Sequence, residues 1–142
     1  MDTISTDKLI TLDDVRELYT SGGGDLYSDY NKLRADIINS DFVITLRQKG
    51  KLVALMRSNG DGTNNQYISE IILHAALPNQ GFGSKLIDKY LECTHEVSKI
   101  YILSHVYYRT TFSKTWLQYK GFSIIAENEN VIVYLYDRHL KY

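Results

Sequence analysis

The apolar positions follow two periods in alternating stretches. Thr11-Leu12-Asp13-Asp14 reads as a helix start, with Thr11 as N-cap and Asp14 answering at the third position. Leu12, Val15, Leu18 and Tyr19 then share one helical face, and Gly22-Gly23-Gly24 is expected to end the helix. A second helix is predicted from about Ser28 to Asn39, with Tyr30, Leu33, Ile37 and Ile38 facing inward. Strand-length runs follow. Phe42 to Arg47 and Lys51 to Arg57 flank Gln48-Lys49-Gly50, a hairpin signal. Asn59 to Gly62 reads as a loop. Tyr67 to His74 is nearly continuous in apolar residues, which predicts a strand buried on both faces. Helical spacing returns from Gly81 to about Thr94 through Phe82, Leu86, Tyr90 and Cys93. Ile100 to Ser104 reads as a strand and Thr111 to Tyr119 as a helix. Phe122 to Ala126 and Val131 to Tyr136 form a last hairpin.

This order is an α/β layout with a mixed sheet. The unit from Tyr67 to Ser104 is expected to be a right-handed parallel crossover. At 142 residues the chain has the size of one domain, taken as residues 1–142. Apolar residues at 44% and charged residues at 23% suit a globular core. Sixteen basic against seventeen acidic residues, with no basic run, give no electrostatic footprint for nucleic acid. The first residues lack the basic and apolar regions of a signal peptide. No run approaches a membrane span. A single cysteine, Cys93, excludes an internal disulfide and argues against a cysteine-built metal site. It is read as a small apolar residue on the inner face of its helix. A reducing, cytoplasmic setting is the expectation.

The candidate chemistry lies at Leu73-His74-Ala75-Ala76-Leu77-Pro78-Asn79-Gln80-Gly81-Phe82-Gly83-Ser84-Lys85-Leu86. An apolar strand enters a glycine-bearing loop, which opens a helix. The first turn of a helix presents unpaired N–H groups and the positive end of its dipole, which together bind anions. Glycines there let a phosphate approach the backbone. The bare Gly-x-Gly is equally compatible with a turn that only starts a helix. It is not a Walker A loop, and Leu86 stands where a dinucleotide fingerprint has its third glycine.

Three passages together resemble the GNAT superfamily of acetyl-CoA-dependent N-acetyltransferases, over roughly Leu12 to Tyr136. Phe42-Val43-Ile44-Thr45 with Leu52-Val53-Ala54-Leu55-Met56-Arg57 resembles its paired strands. Tyr67 to Leu73 running into Gly81-Phe82-Gly83-Ser84-Lys85-Leu86-Ile87 is similar to its strand, its Gln/Arg-x-x-Gly-x-Gly/Ala loop and the following helix. Trp116-Leu117-Gln118-Tyr119-Lys120-Gly121-Phe122 is similar to its Phe-Tyr-x-x-x-Gly-Phe. The resemblance implies a mixed, mostly antiparallel central sheet with flanking helices, and acetyl-CoA as co-substrate. Leu73 would pair through its backbone with the pantetheine arm. Asn79, Gln80, Gly81, Phe82, Gly83 and Ser84, with Lys85 beside them, would hold the pyrophosphate. The thioester would lie where two central strands splay, and an amine would attack it directly.

The chain departs from that pattern twice. Pro78 stands three residues before the first glycine, where the family has Gln or Arg, and proline offers neither an N–H nor a polar side chain. Leu117 stands where the family's tyrosine protonates the leaving thiolate. Tyr119 is about 200° away around the helix, which makes Tyr108 and its neighbour Tyr107 the substitutes. Glu70 is the candidate base, against the alternative of an ion-paired glutamate. His105 and His74, at strand ends, are further acid–base candidates. No metal site is expected. An amine acceptor would meet Tyr19, Tyr27, Tyr30, Asp25, Asp29 and Asp61, an aromatic and acidic wall suited to a cation. Three readings stand. The first is acetyl transfer to a primary amine of a small molecule, the second an acyl-CoA-binding sensor, and the third a protein lysine or N-terminal acetyltransferase. A homodimer is left open.

Overall fold

The computed structural model describes residues 2–23, 27–78, 80–105 and 113–139. The start signal at Thr11 forms a reciprocal cap. Asp14 donates its N–H to Thr11 Oγ1 at 3.0 Å, and Thr11 donates its own to Asp14 Oδ2 at 2.9 Å. Helix α1, Leu12–Tyr19, follows and buries Val15, Leu18 and Tyr19. Helix α2, Tyr30–Ile38, starts later than expected because Asp29 is its cap, accepting from the amides of Asn31 and Lys32. Leu33 and Ile37 are its buried residues.

The sheet has seven strands. They are β1 Asp2–Ser5, β2 Phe42–Gln48, β3 Lys51–Gly60, β4 Asn65–Leu73, β5 Lys99–His105, β6 Ser123–Glu127 and β7 Val131–Asp137, in the order β1-β2-β3-β4-β5-β7-β6. Helix α3, Phe82–Cys93, lies between β4 and β5 in the chain, and α4, Lys114–Tyr119, between β5 and β6. The segment before Ser113, where the pattern predicts the start of α4, is outside the described residues. The pairs β1–β2, β2–β3, β5–β7 and β6–β7 are antiparallel and β4–β5 is parallel. The mixed, mostly antiparallel sheet with helices is thus observed. Strand β1 escapes a pattern reading because Asp2-Thr3-Ile4-Ser5 carries one large apolar residue. It forms at an edge by pairing Asp2 to Gln48 through Ser5 to Thr45.

The residues fall into two compact units, Met1–Ser58 with Glu70–Cys93, and Asn59–Ser69 with Thr94–Tyr142. In the first, Ile10, Val15, Leu18, Tyr19, Leu33, Ile37, Val43, Leu52 and Leu55 form one core. The β2–β3 turn is Lys49-Gly50, with φ of 51° and 81°. Positive φ at both central residues matches the right-handed twist of the strands it joins. In the second unit, rows of residues run across the strands. Gln66 pairs with Ile100 and Ile100 with Tyr136; Ile68 pairs with Ile102 and Ile102 with Tyr134. This face is buried at Gln66, Ile68, Ile100, Ile102, Ile132 and Tyr134. The other face is open, with Tyr67 at 53% and Leu103 at 55% exposure. The expectation that β4 is buried on both faces is therefore corrected. Tyr67 instead stacks on Tyr101, with ring centroids 5.0 Å apart.

Candidate active site

In the first unit, β4 delivers Leu73 to a turn, and the turn delivers Gly81 to the start of α3. His74 donates its N–H to Val53 O on β3 at 2.8 Å. Successive residues of a strand present their N–H and C=O to opposite edges. Those of Leu73 therefore face away from β3. The β4–β5 ladder runs only from Asn65↔Lys99 to Ile68↔Ile102, whereas β4 continues to Leu73 and β5 to His105.

The turn is held from several sides. Leu77 donates to His74 O, and Ala75 N–H donates to Ser21 Oγ at 2.9 Å, tying the loop to the end of α1. Ala76 N–H donates to His74 Nδ1 at 3.2 Å. His74 is 8% exposed. Burial, then the positive charge of Lys51, lowers its pKa. A neutral ring with Nδ1 accepting carries its hydrogen on Nε2. The residue works as a turn acceptor.

Gly81 has φ of +75°, a left-handed conformation that favours glycine. It precedes α3, and Lys85 N–H returns to its carbonyl at 3.2 Å. Among the described residues nothing accepts from the N–H groups of Phe82 and Gly83, as the first turn of a helix dictates. The Phe82 ring is buried at 2% exposure, and Leu86, Ile87 and Tyr90 complete the buried face, so the helix end is firmly seated. Gln80 is exposed and Ser84 half-buried, while Asn79 lies outside the described residues. Lys85 is exposed and pairs with the Asp2 carboxylate on β1.

Glu70 sits at the centre of a cluster. Arg57 Nε approaches Oε1 at 3.0 Å, Tyr19 donates its hydroxyl to Oε1 at 2.6 Å, and Tyr27 donates to Oε2 at 2.5 Å. Arg57 also donates to Ser40 Oγ at 3.2 Å. The side chains of Arg57 and Glu70 are 14% and 15% exposed. Burial, then the Glu70 charge, pushes the pKa of both phenols up, so both stay protonated donors at neutral pH. Three of the roughly four lone-pair positions of the carboxylate are thus taken. Arg57 is the residue that reading the sequence missed. The signal was present: Val53, Leu55 and Arg57 share a strand face by alternation, and a charge at an inward position requires a partner.

The acidic wall is largely spent on structure. Asp29 caps α2. Asp61 accepts from Asn65 N–H at 2.7 Å within its own loop. Asp25 lies outside the described residues, as do Tyr107 and Tyr108. Tyr19 is 2% exposed, which leaves Tyr27, at 37%, as an accessible ring. In the second unit, His105 pairs with Val131, on the strand face of Tyr101 and Leu103. Leu117 is 1% exposed. Cys93 is half-buried. Among the described residues no group of three or more His, Cys, Asp or Glu could hold a metal, and no helix is long and apolar enough to cross a membrane.

No family model matches the chain, and no curated protein matches it in sequence. Solved structures do match in shape. The ribosomal-protein-S18-alanine N-acetyltransferase of Escherichia coli is 13% identical, with a TM-score of 0.78 over 100% of both chains. A GNAT-family acetyltransferase of Streptococcus pneumoniae is 22% identical, with a TM-score of 0.68 over 91% of this chain and 99% of its own. An aminoglycoside 6′-N-acetyltransferase in complex with coenzyme A is 11% identical, with a TM-score of 0.71 over 94% and 95%. Likeness over whole chains at such low identity is a likeness of fold, and the fold of this chain is that of the GNAT acetyltransferases.

Proposed function

We propose that the chain is a member of the GNAT superfamily and an acetyl-CoA-dependent N-acetyltransferase acting on a primary amine of a small molecule. One observation carries the reading. A strand end whose backbone groups face away from β3 at Leu73 leads within one short turn to a helix start where, among the described residues, nothing accepts from the amides of Phe82 and Gly83. The strand end suits the amide groups of pantetheine, and the helix start suits a pyrophosphate. Leu73, Asn79, Gln80, Gly81, Phe82, Gly83 and Ser84 are the proposed cradle. Lys85 can join it by exchanging Asp2 for a phosphate. The proposed extent of the acetyltransferase domain is residues 1–142.

In the proposed reaction the neutral amine attacks the thioester carbonyl, and the sulfur leaves. Glu70 takes the ammonium proton at its remaining lone-pair position, on the Oε2 side beside Tyr27. The fold leaves the acceptor open, because its relatives include enzymes named for a ribosomal-protein alanine and for aminoglycosides. A second reading, an acyl-CoA sensor, is favoured by the Arg57–Glu70 ion pair, which neutralises the candidate base.

Calorimetry with CoA and acetyl-CoA tests the cradle. Absence of binding at millimolar ligand removes both readings. A thiol-release assay over small amines, polyamines and peptides separates them: turnover supports the enzyme, and binding without turnover supports the sensor.

A further inference from the structure

The open sheet face of the second unit carries its residues in rows across the strands, since residues in register share a face. Tyr67 pairs with Tyr101, Tyr101 with Leu135, and Leu135 with Ser123. Two residues toward the start of β5, Lys99 pairs with Asp137. Two residues toward its end, Leu103 pairs with Val133. The exposed Tyr67 and Leu103 are joined on this face by the half-buried Tyr101, Val133 and Leu135. Large apolar side chains left in water over neighbouring strands mark an interaction surface.

One end of this face is charged. Lys99 is exposed, and Asp137 Oδ1 accepts the N–H of its neighbour His139 at 2.9 Å. The two side chains are in register, yet among the described residues neither takes part in an ion pair. A second copy of the chain fits this arrangement. A two-fold axis parallel to the strands, midway between β5 and β7, packs the two open faces together. Because the strand order is β4-β5-β7-β6, it sets β5 over the partner's β7 and β4 over the partner's β6. Rows are preserved by that axis. Lys99 then meets the partner's Asp137 on both sides of the axis, Leu103 meets the partner's Val133, and the large Tyr67 meets the small Ser123 of the partner subunit. An axis across the strands would instead lay the charged row on the row of His105 and Val131, so the charges select the first axis. Four strands about 4.8 Å apart and the seven residues of β5 give a face of about 19 by 23 Å. That is at the small end for a stable interface, and micromolar association is expected.

We propose that the open face of β4, β5, β7 and β6 is the interface of a two-fold symmetric dimer of this chain, with Lys99 of each copy paired to the partner's Asp137. The interface is isologous: the same patch serves both copies, and it closes without leaving a face for a third. Tyr67, Tyr101 and Leu103 supply its apolar centre, and the two Lys99–Asp137 contacts fix the direction of the axis. The inference is independent of the acetyl-transfer reading.

Sedimentation velocity over a micromolar concentration series tests it. The wild type is expected to shift from one copy to two as concentration rises. Lys99→Glu sets two acidic side chains against each other at each contact, and Asp137→Lys sets two basic ones. Each variant alone should dissociate at least about tenfold more readily than the wild type. An equal mixture of the two variants should associate again, because in the mixed dimer both contacts join opposite charges. Circular dichroism of each variant checks that the fold is kept. Leu103→Glu, at an exposed apolar position, is the second route and should also give a single copy. A wild type that stays single at the highest concentration overturns the proposal. So does a wild-type dimer that survives Leu103→Glu, or a mixture of the two charge variants that fails to associate.

Discussion

Replacing Arg57 by Met tests the physics of the Glu70 cluster directly. The guanidinium approaches the carboxylate at 3.0 Å, and both side chains are about one-seventh exposed. At an effective dielectric near 20, such a pair attracts by roughly 5 kcal/mol. Methionine preserves much of the arginine stem but leaves Glu70 a buried charge held by two phenols alone. Breaking a buried pair from one side costs about 3–5 kcal/mol. The residual hydrogen bonds from Tyr19 and Tyr27 place the expectation at about 3 kcal/mol. In urea, with a slope near 2 kcal/mol/M, the midpoint falls by about 1.5 M. Glu70→Gln alone strands the arginine and is also destabilising. The double variant removes both charges, so its cost is well below the sum of the singles, with a coupling of about 2 kcal/mol or more. The loss in Arg57→Met should persist in high salt, because a pair this enclosed is weakly screened. A midpoint shift under 0.3 M, or strict additivity of the two changes, refutes the view of the cluster as an enclosed ion pair.

Three further outcomes are expected. Glu70→Gln, assayed for thiol release against pH, loses the acidic limb of the wild-type profile if Glu70 receives the substrate proton; an unchanged profile removes it as the base. Gly81→Ala forces a β-carbon into a φ of +75°; it should weaken CoA binding several-fold by calorimetry and cost about 1–2 kcal/mol of stability, and unchanged affinity would detach this turn from the phosphate. Asp14→Asn at pH 7 should cost about 1 kcal/mol. Burial opposes ionisation of Asp14, but the donors Arg47 and Thr11 outweigh it and hold its pKa below the usual value. The stabilisation it provides is therefore present above about pH 4 and is lost as pH falls through the depressed native value. Thermal melts of variant and wild type converge in acid, and a gap that stayed constant to pH 2 would contradict the assignment.

Local chemistry was legible in the chain by itself. Thr11 and Asp14 specify their cap with two side chains three residues apart, and Lys49-Gly50 specifies a hairpin. The spacing of Phe82, Leu86 and Tyr90 specifies a helix whose start is exposed and whose side is buried. Each depends on neighbours within one or two turns of backbone, so a linear pattern contains all of it. The proposed cradle could be read from the chain for the same reason, since strand, turn and helix start are contiguous. What pairs with what across long separations was decided only by the fold. Glu70 reads as either a base or an ion-paired glutamate until β3 sets Arg57 beside it and α1 and the segment at Tyr27 bring in two phenols. Asp29 and Asp61 read as a wall for a cation until local hydrogen bonds claim them. Tyr134 reads as one apolar residue in an alternating strand. Only the register with Ile102 and Ile68 sets it in a buried row, where among the described residues its hydroxyl has no hydrogen-bond partner. Charge and hydroxyl groups act through distance in space, and along the sequence these distances span from 13 to more than 50 residues.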